Sequence, residues 1–80
     1  MQAILTKYVG ATDFKGGHVL AVCDAKRMRV PWAHELGIED NHEMAARRLA
    51  NELGWLEGHR LVKGSIPGDR GYCHVLVREP

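Results

Sequence analysis

The chain has 80 residues, 45% of them hydrophobic, and 11 Lys and Arg against 10 Asp and Glu leave a formal net charge of +1. This length predicts a single domain over residues 1–80, with one small core and little room for a deep substrate cavity. The apolar content excludes a disordered tail, and the balanced charge excludes the strong global field with which highly basic proteins bind nucleic acid or anionic membranes.

The N-terminal sequence and the cysteines predict a cytoplasmic protein. MQAILTKYVG lacks the basic stretch and the apolar run of roughly 7–15 residues that a signal peptide needs. No stretch reaches the ~18 apolar residues of a membrane span. Cys23 and Cys73 match no zinc-binding spacing, and we expect free, buried thiols, although a disulfide between neighbouring strands stays open.

The N-terminal part of the chain predicts three strands that form a meander. Gln2–Val9 combines β-branched and aromatic residues with a loose alternation. His18–Cys23 is mostly apolar, which is typical of a strand that is covered on both faces or lies at the centre of a sheet. A turn is expected at Gly16–Gly17, between these two strands. Lys26–Val30 then alternates cleanly, which directs its arginines to solvent.

The segment DNHEMAARRLANELGW is the only one that clearly predicts a helix, from about Asn41 to Leu53. Asp40 is a suitable N-cap, and Glu43 stands three positions later, as in a capping box. Gly54 and Trp55 fit the left-handed residue and the apolar contact that end many helices. Small and apolar residues recur on one face and predict a core stripe, formed by Ala45, Leu49 and Leu53 with Met44, Ala46 and Ala50 beside them.

Two further strands, His59–Ile66 and Tyr72–Arg78, flank the turn-forming PGDRG sequence. In the second of them, His74 and Leu76 share one face, whereas Cys73 and Val75 share the other. The predicted fold class is therefore α+β, a largely antiparallel five-stranded sheet with one packed helix in the order β-β-β-α-β-β.

The histidines form no recognisable metal or general-base motif. His34 and His42 do not have the i, i+4 spacing of an HExxH site, and His18, His59 and His74 lie on separate predicted strands. We therefore expect no metal and no cofactor. In this interpretation His42 is an exposed residue of the first helical turn, and His34 caps or braces the preceding loop.

No other catalytic constellation is apparent, so we expect that the protein is not an enzyme. Cys73 and His74 are neighbours on a predicted strand, and their side chains point to opposite faces. The acidic residues Glu35, Glu39 and Glu43 are explained by capping and by the helix dipole. Neither GGHVL nor PGDRG matches a glycine-rich phosphate-binding motif.

Direct nucleic-acid binding stays open as the weaker alternative. The basic clusters are Lys26, Arg27 and Arg29 in the third strand, and Arg47 and Arg48 on the helix. The aromatic residues available to stack on bases are Tyr8, Phe14 and Trp32. Against this reading, the net charge is near zero, and neither a recognition helix nor an aromatic-sheet motif is present.

Four segments, in order along nearly the whole chain, resemble a family of small proteins encoded in phages, plasmids and integrated elements: TKYVGATDFKGG, VPWAHEL, DNHEMAARRLANELGW and GYCHVLV. The more specific parts are Lys7-Tyr8-x-Gly10-x-Thr12, Pro31-Trp32-x-His34-x-Leu36, Asn41-His42-x-x-Ala45-Ala46 and Leu53-Gly54-Trp55. The resemblance implies no catalytic role.

Some proteins of this size and origin are anti-CRISPR proteins, and the chain is similar to small inhibitors of type I systems, with type I-C as the subtype considered. The resemblance implies a cofactor-free module, monomeric or weakly dimeric, that binds a surveillance complex in the bacterial host and obstructs target DNA. The candidate partner-binding residues are either the basic Lys26, Arg27, Arg29, Arg47 and Arg48 or the acidic Glu35, Glu39 and Glu43. The alternative is a phage or plasmid accessory protein that binds nucleic acid or another host factor.

Overall fold

A computed structural model describes residues 3–10, 17–68 and 71–79. Phe14 and the first residue of the turn expected at Gly16–Gly17 lie outside these ranges. The helix and the strands follow one another in the predicted order, as β1 (Ala3–Val9), β2 (His18–Val22), β3 (Arg27–Pro31), α1 (Ile38–Glu52), β4 (His59–Ser65) and β5 (Tyr72–Arg78).

All five strands form one antiparallel sheet with the spatial order β3-β2-β1-β5-β4. The first three strands form the predicted meander, and β4 and β5 form a hairpin. Pairing of β1 with β5, for example Ile4 opposite His74, joins the two ends of the described chain at the centre of the sheet. The α+β prediction is confirmed, and the helix packs on one face of this sheet.

The core lies between α1 and the sheet. The inner face of the helix carries the fully buried Ala45, Ala46, Leu49 and Ala50, as the stripe predicted. These side chains pack against sheet residues from four strands, namely Ile4, Val19, Ala21, Val30 and Leu76. The three alanines let the helix axis approach the sheet closely, so Leu49 supplies most of the apolar volume from the helix side.

The start of the helix differs from the prediction. Helix α1 begins at Ile38 with Gly37 as its N-cap, and no side chain caps it. Asp40 is therefore not the N-cap, and Glu43 is not part of a capping box; Asp40 still lies in the first turn, where its charge complements the helix dipole.

The missing side-chain cap has a physical reason in Asn41. Its amide accepts a hydrogen bond from the Ala33 N–H at 2.8 Å and donates to the carbonyls of Ala33, Leu36 and Gly37. Asn41 is completely buried. It ties the loop before the helix to the helix itself, so the chain enters the helical conformation one turn earlier than the capping pattern indicates.

The end of the helix agrees with the prediction. Gly54 has a φ of 75°, in the left-handed region that glycine adopts without strain. Its N–H donates to the Asn51 carbonyl at 3.1 Å, and the Trp55 N–H donates to the Ala50 carbonyl at 2.8 Å. This pair of bonds defines a Schellman motif, and Trp55 packs against the core as the expected apolar contact.

Candidate functional site

A polar cluster lies inside the interface between the helix and the sheet. The Thr6 hydroxyl lies 2.8 Å from Nδ1 of His42 and 3.0 Å from Nε2 of His74. Thr6 comes from β1, His74 from β5 and His42 from the helix, so the cluster joins three elements through one oxygen atom. We call Thr6, His42 and His74 the polar cluster.

The donor and acceptor inventory of the polar cluster limits where its hydrogen atoms can lie. One arrangement that satisfies both short distances has His74 Nε2–H donating to the Thr6 oxygen, while the Thr6 hydroxyl donates to Nδ1 of His42. In this arrangement Nδ1 of His74 carries only a lone pair. That atom is buried and has no hydrogen-bond partner in the described part of the chain.

Burial sets the charge of the polar cluster. Burial, and to a smaller extent the neighbouring His42, lowers the pKa of His74 from 6.5 to about 4. Burial also lowers the pKa of His42, although a hydrogen bond with the backbone of Thr6 opposes the shift. Both rings are therefore neutral at pH 7, because a buried imidazolium loses its hydration.

Access to solvent decides what the polar cluster can do chemically. A cleft of about 370 Å³ borders it, between the start of the helix and the ends of β1 and β4, with His42 and Tyr72 in its wall. Yet Thr6 is only 1% exposed, His42 3% and His74 0%. A nucleophile or a general base must reach a substrate atom, so this geometry fits a polar link between helix and sheet better than a catalytic centre.

His42 corrects a prediction from the sequence. We expected an exposed residue of the first helical turn, but the helix begins earlier, and His42 points inward. The signal was present in the sequence: His42 precedes Ala45 and Ala46 by three and four positions, which places it on the same helical face. His34, in contrast, lies exposed in the turn before the helix.

The candidate partner-binding residues do not form one site. Arg27 and Arg29 lie in β3 and point away from the helix, because the alternate residues of that strand face the core. Arg47 and Arg48 lie on the outer face of the helix, on the other side of the molecule. Glu35 is exposed in the turn before the helix.

Three more of these residues are engaged in ion pairs on the helix side. Lys26 pairs with Glu52 at the end of the helix. Lys63 of β4 lies 3.5 Å from Glu39 and 3.8 Å from Glu43. All these partners are partly exposed, so each pair contributes little to stability. The predicted acidic edge is thus partly neutralised by Lys63.

The face of the sheet opposite the helix, which we call the open face, is apolar at its centre. One row of paired residues crosses the strands here, from Val22 through Leu5 to Cys73. A second row runs from Ala3 through Val75 to Val62. Leu5 is 48% exposed and Val62 44%, because the helix packs on the other face.

The open face also corrects two predictions. Strand β2 was expected to be covered on both faces or to lie at the sheet centre, but β1 is central, and Leu20 and Val22 on the open face are only half-buried. Cys73 lies on this face and Cys23 follows β2 toward the core; both are free thiols with intermediate exposure rather than fully buried.

Charge on the open face is of one sign. Lys7 in β1 and Arg29 in β3 both lie directly opposite Leu20 of β2. Arg27 lies opposite Val22, and Arg60 lies opposite Val77. No acidic residue occurs in any of the strands. The described acidic residues lie instead in turns, in loops and on the helix, namely Asp24, Glu35, Glu39, Asp40, Glu43, Glu52, Glu57 and Glu79.

Aromatic rings are concentrated on the helix side. Tyr8 and Trp32 pack edge to face with ring centroids 5.0 Å apart, and Tyr72 lies 4.6 Å from His42. Trp32 packs against the core. Within the described residues no group of three or more His, Cys, Asp or Glu could hold a metal ion. None of the described helices is long and apolar enough to cross a membrane.

Comparisons with known proteins add no family. The chain matches no protein-family model, no curated protein and no solved structure.

Proposed function

We propose that this chain is a stoichiometric inhibitor that binds a protein complex, and that it is not an enzyme. The observation that supports this role is the open face, where an aliphatic centre is left uncovered by the helix and is bordered by cations. A large exposed apolar patch with a polar border is typical of protein–protein interaction sites. The polar cluster, in contrast, is too deeply buried to act on a substrate.

The target we propose is a type I CRISPR surveillance complex, type I-C in particular. The support is the resemblance of the four sequence segments to small mobile-element proteins and to inhibitors of type I systems. Such a protein works in the cytoplasm of the bacterial host, without a cofactor and as a monomer or weak dimer. Binding would obstruct access of target DNA to the complex.

One observation favours a second candidate, an accessory protein that binds nucleic acid. The open face carries Lys7, Arg27, Arg29 and Arg60 without an acidic residue, and basic faces attract phosphates. The aromatic rings that would stack on bases lie on the helix side, however, so this candidate ranks second.

The proposed function is tested by titrating a purified type I complex with the untagged protein and measuring binding of target DNA. A stoichiometric inhibitor should abolish DNA binding at a fixed molar ratio that does not change with incubation time. An enzyme that modifies the complex would act below that ratio and progressively. Absence of association with type I complexes, together with tight, salt-sensitive binding to free nucleic acid, would favour the second candidate.

A further inference from the structure

The open face offers enough surface for a specific interface. The strands have five to seven residues each, and strand geometry gives a face of roughly 20 Å by 20 Å. Standard interfaces bury about 800 Å² on each partner, and their apolar core occupies only part of that area. The face can therefore seat the core of such an interface, with the surrounding loops available for its border.

Chemistry on the open face restricts what can cover it. At its centre, Leu5 and its neighbours Val22 and Cys73 present aliphatic groups and a thiol, with no aromatic ring. Nucleic-acid bases bind sheets chiefly by stacking on aromatic side chains. A phosphate backbone would bury these aliphatic groups against charge. A protein surface with its own apolar centre is the chemically matched partner.

The border of the open face selects the charge of that partner. Arg27 and Arg29 mark the β3 edge, Arg60 marks the β4 edge, and Lys7 lies near one end. None of them has an acidic partner within the described residues. Potentials at specific interfaces are complementary, and an acidic border on the partner would steer the encounter and set the register.

A second copy of this chain does not fit the open face. Two open faces stacked on one another would bring together basic residues at both edges, with no acidic residue in the strands to pair with them. Stacking the open face on the helix side of another copy would meet Arg47 and Arg48 as well as acidic residues. It would also give an interface that does not close.

From these observations we infer that the open face is the docking surface of this protein, and that its partner is a protein surface with an aliphatic centre and an acidic border. This inference rests on the proposed function, since it names the surface through which the inhibitor binds. It also divides the candidate partner-binding charges: Arg27 and Arg29 make contact, whereas Arg47, Arg48, Glu39 and Glu43 on the helix side do not.

Matched variants test the surface on a purified type I surveillance complex. Leu5→Thr with Val62→Thr places β-branched side chains, which suit strands, at both positions but makes the centre polar, and we expect about tenfold weaker binding. Arg27→Glu with Arg29→Glu should weaken binding by about tenfold or more, mainly through slower association. The control, Arg47→Glu with Arg48→Glu, should stay within about twofold of the parent, since surface changes outside an interface are nearly neutral.

The cysteines supply a second readout that needs no substitution. Cys73 lies on the open face and Cys23 points to the core side, and both are free and partly exposed. Alkylation of the full chain, followed by peptide mass spectrometry, should show Cys73 protected in the complex while Cys23 reacts at an unchanged rate. Equal protection of both thiols, or protection of Cys23 alone, would overturn the inference.

The outcomes separate the inference from the proposed function. If the parent protein binds the complex and the open-face variants bind equally well, the proposed function is kept and the assignment of the docking surface is wrong. If the parent protein binds no type I complex, both fail together. If the parent protein binds single- or double-stranded DNA in a salt-sensitive way and the Arg27→Glu, Arg29→Glu variant does not, the partner of the open face would be nucleic acid rather than a protein. If the free protein sediments as a stable dimer and the open-face variants dissociate that dimer, the partner of the open face would be a second copy of the chain.

Discussion

The two faces of the sheet are formed by alternate residues of the same strands, and they differ in what covers them. On the covered face the alternate residues of β1, Ile4 and Thr6, are sealed beneath the helix, and one of them organises the polar cluster. On the open face the intervening Leu5 and Lys7 stay exposed. A shift of one position along the strand therefore moves a side chain from the core to the surface proposed for recognition.

The comparison teaches that apolar content alone does not mark the core. The open face is aliphatic, whereas the covered face contains a threonine, two histidines and Asn41 from the helix, all buried. Polar groups are accepted in the core because almost every one of them has a hydrogen-bond partner, as Asn41 and Thr6 show. A contiguous row of aliphatic groups on the surface, in contrast, indicates an interaction site.

The largest effect is expected for a methyl group added to a glycine beside the pairing of β1 with β5, compared with one added on the open face. At Gly71, beside Thr6, an added Cβ would lie 1.9 Å from the Thr6 carbonyl oxygen, and its φ is 120°. Gly71→Ala should lower the free energy of unfolding by about 2–5 kcal/mol, from backbone strain and overpacking together. Gly64→Ala on the open face meets nothing within 4 Å and should change it little. Equal urea midpoints for the two variants would contradict the packing of β1 against the start of β5.

Truncation of the helix side chains comes next. Leu49→Ala removes a fully buried side chain between the helix and the sheet and should lower the free energy of unfolding by roughly 2–4 kcal/mol. Arg47→Ala on the outer face of the same helix should be nearly neutral. Both changes leave alanine, so helix propensity does not explain the contrast. Urea denaturation that ranks Arg47→Ala as the more destabilising would show that the helix packs through its other face.

Acid should weaken the covered face through the polar cluster. Burial lowers the pKa of His74 to about 4 from 6.5, so the unfolded chain takes up a proton in this range while the folded chain does not. The contribution of the neutral His74 ring to the free energy of unfolding is therefore fully present above pH 6.5 and is lost as the pH falls toward 4. The loss is about 3 kcal/mol at most for this ring.

The measurement is the urea midpoint as a function of pH, and the useful quantity is the slope between pH 4 and pH 6.5. His74→Gln removes the titrating ring and should flatten the slope, even if the variant is less stable at neutral pH. His34→Gln changes an exposed ring in the turn before the helix and serves as the control. A His74→Gln variant with the parent slope would show that the ring does not stay neutral in the folded protein.

The smallest expected effect concerns the open face itself. Val62→Thr replaces a 44% exposed side chain by a polar one of similar shape and should change the free energy of unfolding by less than about 0.5 kcal/mol. The same exchange at the buried Val30 should be clearly destabilising, because the hydroxyl would enter the core without a partner. If Val62→Thr and Val30→Thr lowered the free energy of unfolding by comparable amounts, the open face would be covered in the folded protein.

Local patterns in the sequence were sufficient for the order of the elements. Alternation identified β3 and β5, the alanine-rich stripe identified the inner face of the helix, and Gly54 with Trp55 identified its end. Each of these signals depends on residues within one or two turns or along one strand, where the periodicities of helix and sheet apply directly. The domain prediction and the partner are not settled by such patterns and stay predictions.

Only the tertiary structure decided which face of β1 and of β5 is covered and what the polar residues do. The sequence places Thr6, His42 and His74 far apart, and it is the pairing of β1 with β5 and the docking of the helix that bring them around one oxygen atom. The same docking leaves the other side of the sheet open, with Leu5 beside Val22 and Cys73. Alternation in a strand distinguishes two faces. Which of the two is buried depends on where a distant helix packs, because the helix packs against all the strands at once and the apolar area that they bury together stabilises its position.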